Sequence, residues 1–108
     1  MAKTVRVFRV EGTNICIVQP GSIHLGQGNV TVRWENETGG KIDILVPHDQ
    51  LRSDIKHLEL KSRKKPGEIQ FHPPKVAKKK QRTYPYAVYC HSTKSFAYGG
   101  SDPEMIVP

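Results

Sequence analysis

The chain has 108 residues, 17 of them Lys or Arg and 10 Asp or Glu, for a formal charge of +7 at neutral pH. That length makes one domain, residues 1–108, with a single modest core, and no run of 18 apolar residues exists to insert in a membrane as a helix. Two cysteines are too few for a disulfide framework, and the N-terminus Met1-Ala-Lys-Thr-Val-Arg-Val lacks the apolar stretch of an export signal; the expected compartment is the cytoplasm, or the periplasm if such a signal has been removed.

The first strand runs from Thr4 to Val10, where Val5 and Val7 alternate with Arg6 and Arg9 lies beyond. Thr13, Ile15 and Ile17 share one face of a second strand, with Gly12 as the turn or bulge before it. Pro20-Gly21 marks a turn, Ser22 to Leu25 a short strand, and Gly26-Gln-Gly28-Asn29 the next turn. Val30, Val32 and Trp34 alternate with Thr31, Arg33 and Glu35, the pattern of a half-buried strand. After a turn at Asn36-Glu-Thr-Gly-Gly40, a further alternation starts at Ile42, Ile44 and Val46. The period then changes. Leu51, Ile55 and Leu58 fall at i, i+4 and i+7, which predicts a short helix with Asp49 as its N-cap.

Strand signals return at Leu58-Glu-Leu60 and again at Ile69 and Phe71, before His72-Pro-Pro74 interrupts ladder pairing. In the last hairpin Tyr84, Tyr86, Val88 and Cys90 share a face opposite Pro85 and Ala87, and Pro103 to Val107 closes the chain. Seven or eight short strands, Gly and Pro turns and one small helix predict an all-β sandwich or barrel.

The charge is concentrated. Residues 61–82 hold Lys61, Arg63, Lys64, Lys65, Lys75, Lys78, Lys79, Lys80 and Arg82 against Glu68 alone, so this segment carries +8 and the remainder −1. Such a field suits an acidic protein or another polyanion as partner, and it equally suits a solvated loop that keeps the protein in solution. Lysine outnumbers arginine, which favours diffuse attraction over bidentate recognition.

The segment Gly26-Gln-Gly-Asn-Val-Thr-Val-Arg-Trp-Glu-Asn36, the Gly-Gly loop, the strand Lys41 to Val46, the small helix and Tyr84-Pro-Tyr-Ala-Val-Tyr-Cys90 resemble, in order and spacing, the cupredoxin family over nearly the full length. The C-terminal part is similar to bacterial cupredoxin-like proteins that lack the full copper site. The resemblance implies a Greek-key β-sandwich, with Val32, Trp34 and Val88 between the sheets. It also implies where a type 1 copper centre would sit. Such a centre needs two imidazoles, a thiolate and an axial thioether. Cys90 occupies the thiolate position. Ile42 and Asp43 stand where the first histidine belongs. His91 follows the cysteine at once, and so points to the opposite face of the strand. Met105 falls within the closing strand instead of the loop before it.

Cys90 and His91 are therefore weak metal candidates only, and the expectation is no metal and no cofactor, with copper as the alternative. Cys16 and Cys90 are expected to be two buried free thiols, with one bridge if the chain is exported. His24, His48, His57 and His72 are each expected to be solvent-exposed; for His48, at a strand end after Pro47, an approach to the Cys90 loop is the lesser alternative. The sequons at Asn29 and Asn36 are read as chance. No G-x-S-x-G, P-loop or H-E-x-x-H is present, and no nucleophile–base pair can be nominated, so the chain is expected not to be an enzyme. The function these features imply is a non-catalytic binding or interaction domain that has lost its type 1 copper site. The alternatives are a copper-binding or electron-transfer protein with an altered site, and a non-specific nucleic-acid or polyanion binder acting through residues 61–82.

Overall fold

The computed structural model describes residues 2–26, 28–61, 65–73, 82–99 and 103–107. Among these, the alternation of apolar and polar residues builds eleven strands and one turn of helix: β1 (Ala2–Arg9), β2 (Cys16–Gln19), β3 (Ser22–His24), β4 (Val30–Glu37), β5 (Ile42–Leu45), α1 (His48–Leu51), β6 (His57–Leu60), β7 (Gly67–Phe71), β8 (Arg82–Pro85), β9 (Ala87–Cys90), β10 (Ser95–Phe96) and β11 (Glu104–Val107). No helix among the described residues is long and apolar enough to cross a membrane. The strands exceed the expected seven or eight because runs that look continuous in sequence are divided. The Tyr84–Cys90 run breaks at Tyr86, whose amide donates to Pro103, so β8 joins β11 while β9 joins β5 and β10.

Three sheets result, ordered β2-β1-β4-β7, β10-β9-β5-β6 and β3-β11-β8. β1 runs parallel to β4, with Val5 opposite Trp34, and β11 runs parallel to β3. The second sheet is antiparallel throughout, and its register sets Asp43 opposite both Tyr89 and Glu59. The inward residues of all three sheets meet in one core. Val5, Val7, Val32, Trp34, Ile69 and Phe71 come from the first sheet, Ile42, Ile44 and Val88 from the second, and Ile23 and Met105 from the third. Val32, Trp34 and Val88 are fully buried, as the alternation predicts. Burial of this kind, at about 25 cal/mol per Å² of apolar surface, is what holds the layers together.

At one edge the chain after β10 ties the two large sheets together. Tyr98 donates its amide to Cys16 (2.9 Å) and accepts from Val18 (2.7 Å), while Ala97 donates to Val88 (2.8 Å). At the other edge Gly67 leaves room for the Leu58 and Leu60 side chains, which a Cβ there would overlap.

Two elements differ from expectation. In β2 the inward pair is Cys16 and Val18, while Ile15 is exposed and Ile17 only half-buried. The apolar pattern alone favoured the opposite phase, and the β1–β2 turn, with Gly12 at φ +78°, decides it. The helix is a single turn. Pro47 precedes it without a side-chain cap, Asp49 lies inside its first turn, and Arg52 leaves it in the left-handed conformation. Leu51 is buried from the helix, whereas Ile55 and Leu58 reach the core from the following extended segment and from β6.

Candidate functional site

Cys16 and Cys90 are joined in a disulfide, which corrects the expectation of two free thiols. β2 is an edge strand of the first sheet and β9 an inner strand of the second, so the bond is a covalent tie across the core. The physical reason is the phase of β2. With Cys16 turned inward rather than Ile15 and Ile17, its sulfur faces the Cys90 sulfur through the interior.

These residues do not fit the copper centre that the resemblance implies. Cys90, once bonded to Cys16, has no thiolate to give. His91 lies on the opposite face of the strand, outside the sheet. Ile42 is buried in the core at the expected imidazole position, and Met105 is buried within β11. His48 does not turn toward Cys90. Its Nδ1 pairs with the Ser53 hydroxyl at 3.1 Å, and that hydroxyl donates to the Ile55 carbonyl. No group of three His, Cys, Asp or Glu among the described residues is placed to hold a metal ion.

The basic segment is described only in part. Lys61, Lys65 and Arg82 are exposed, while Arg63, Lys64, Lys75 and the Lys78–Lys80 run lie outside the described residues.

The outer faces of the two large sheets differ in detail. Across β1, β4 and β7 the first is laced by the Arg6–Glu37 pair (2.7 Å) and the Arg33–Glu68 pair (3.3 Å), while its β1-β2 side carries Phe8, Ile17 and, just before β2, the exposed Ile15. The outer face of β10-β9-β5-β6 carries Leu45, Phe96 and Tyr89, and Tyr98, bridged to Ile17 of β2, carries the apolar surface round to the first sheet. Leu45, Phe96 and Tyr98 are 46%, 56% and 57% exposed. Tyr89 packs edge-on against Phe96, with ring centroids 5.2 Å apart, and against His91 at 5.1 Å. Beside Phe96 a depression of about 190 Å³ opens between Pro85, Tyr86, Ala87, Ala97 and Pro103.

The charged half of that face is organised around Asp43. His57, opposite Leu45 on β6, reaches diagonally so that its Nε2 lies 2.8 Å from Asp43 Oδ1. His91, whose amide donates to the Lys41 carbonyl just past the end of β9, brings its Nε2 to Asp43 Oδ2 from the other side. Lys41 and Glu59 pair alongside at 3.6 Å. The His91 hydrogen bond is the largest influence on the Asp43 carboxyl; partial burial opposes it, His57 adds to it, and together they hold Asp43 below the usual carboxylate range.

Sequence reasoning singled out His91 but not its partner, and left His57 as an isolated exposed histidine. The signal that could have found the trio was register. Once β5 is paired antiparallel to both β6 and β9, positions 43, 57 and 91 fall on one face, each histidine two residues along from the position directly opposite Asp43 and so its diagonal neighbour.

The chain matches no protein-family model, and no curated protein matches it.

Proposed function

We propose that the chain is a non-catalytic, cupredoxin-like interaction domain that docks a protein partner on the outer face of the β10-β9-β5-β6 sheet. The observation that carries this reading is the patch on that face where Leu45 and Phe96 are 46% and 56% exposed beside Tyr89, with a depression opening next to Phe96. Aromatic and aliphatic anchors flanked by a charged rim are the composition of a protein-binding patch, and the depression beside Phe96 suits an inserted side chain. The cupredoxin-like part of the reading is supported by the all-β layers and by the resemblance of the Trp34 and Cys90 strands. The disulfide stands where a copper-binding relative would keep its thiolate, and a core bridge of this kind suits an oxidising compartment.

Site-directed photo-crosslinking tests the proposal. A photoreactive phenylalanine analogue at position 96 is expected to cross-link one protein in an extract of the cells that make the chain. The same analogue at Glu68, in the ion-paired part of the first sheet, is expected to give no such product, and Leu45→Asp is expected to abolish the product from position 96 at an unchanged melting temperature. Equal cross-linking from both positions, or none from position 96, overturns it.

A further inference from the structure

We propose that Asp43, His57 and His91 form a proton-operated clasp that reverses the charge of the outer face of the β10-β9-β5-β6 sheet; its role in docking rests on the reading of that face given above. One carboxylate fastens three neighbouring strands. Asp43 sits on the central strand β5, His57 comes from β6 and His91 from the end of β9. Both rings offer the same atom, Nε2. A neutral imidazole with its proton on Nε2 donates to Asp43, and so does a charged one. Protonation therefore changes the charge of the cluster without dismantling its hydrogen bonds.

The charged and titratable groups that these strands place on the face of Asp43 are as follows. β5 supplies Asp43, with Lys41 just before its start, β6 supplies His57 and Glu59, and β9 supplies Tyr89, with His91 just past its end; β10 supplies Phe96 and no charge. Lys41 and Glu59 offset one another as a pair. With both imidazoles neutral the cluster carries −1, the charge of Asp43. With both protonated it carries +1. Imidazoles make this change between about pH 8 and 5, the only side chains that do so without a large perturbation. Beside an apolar patch, a reversal of sign changes which rim charges a partner can bring close, and with them its rate of encounter.

The clasp also has a signature in stability. A hydrogen bond from a charged imidazole to a carboxylate is roughly twice as strong as one from a neutral ring. Asp43, kept ionised below the usual carboxylate range, holds its side of the clasp until pH falls through that lowered value.

The test uses the free protein, so its failure and the failure of the docking reading are separate results. Imidazole proton resonances are followed by NMR against pH in the parent, Asp43→Asn, His57→Gln and His91→Gln. Asp43→Asn is expected to move the midpoints of both His57 and His91, and each His→Gln change to move the midpoint of the other histidine. If Asp43→Asn does not fold, the two glutamine variants decide through the midpoint of the remaining ring. Midpoints that ignore the removal of Asp43 or of the other histidine overturn the clasp.

Discussion

Trp34 and Tyr86 make opposite predictions from the same spot in the core. The indole is fully buried on β4, with Phe71 at 6.5 Å and Tyr86 at 5.9 Å between ring centroids. Trp34→Ala removes the largest side chain of the core and is expected to cost about 3–5 kcal/mol. The Tyr86 hydroxyl is also buried, yet it has no hydrogen-bond partner among the described residues. Burial pushes its ionisation far up, and the Trp34 indole is near enough to ease that shift without closing a well-formed bond. A buried, unpartnered hydroxyl costs its desolvation and returns little. Tyr86→Phe is therefore expected to melt at or above the parent temperature, while Trp34→Ala melts more than about 12 °C below it. A clear drop for Tyr86→Phe in a thermal scan would remove this account. The burial of Val32, Trp34 and Val88 was legible in the sequence, because strict alternation leaves a strand one face to bury. The Asp43 trio was not, because its members are 14 and 34 residues apart in sequence and meet only through strand register.

At the scale of elements, the period of the apolar residues was a good guide wherever a strand is long, and a poor one where an element is short. β4 has eight residues and follows its pattern throughout. α1 has four, and the i, i+4, i+7 spacing of Leu51, Ile55 and Leu58 is met by a helical turn and an extended segment instead. The chain leaves α1 through Arg52 at φ 49°, ψ 49°, with its side chain exposed. For a residue with a Cβ that conformation costs roughly 1–2 kcal/mol, partly offset in glycine by its greater unfolded freedom. Arg52→Gly is expected to raise stability by about 0.5–1 kcal/mol, read as a higher midpoint in a denaturant titration. A lower midpoint would mean that the arginine side chain makes a contact worth more than the strain. β2 shows the same limit. In four residues the choice between Ile15 with Ile17 and Cys16 with Val18 as the inward set is decided by the turn before them, not by hydrophobicity.

For the whole molecule, the decisive bond is the one the sequence did not specify. Two cysteines 74 residues apart carry no spacing signal, and only the packing of β2 over β9 brings them together. In the chain-entropy account a loop of that length stabilises the folded state by about 4 kcal/mol, comparable to the loss of Trp34. A Cys16→Ala/Cys90→Ala variant is expected to lose about that much, and the parent melted in excess reductant to approach the variant. If reductant and substitution both leave the melting temperature unchanged, the bond is not present in the folded protein in solution. The bond also has a topological consequence. The bond closes a covalent ring from residue 16 to residue 90, and the whole lysine-rich stretch 61–82 lies within the ring. A protease that cuts once among those lysines opens the loop but releases nothing. The two pieces remain one molecule, heavier by one water, until the disulfide is reduced.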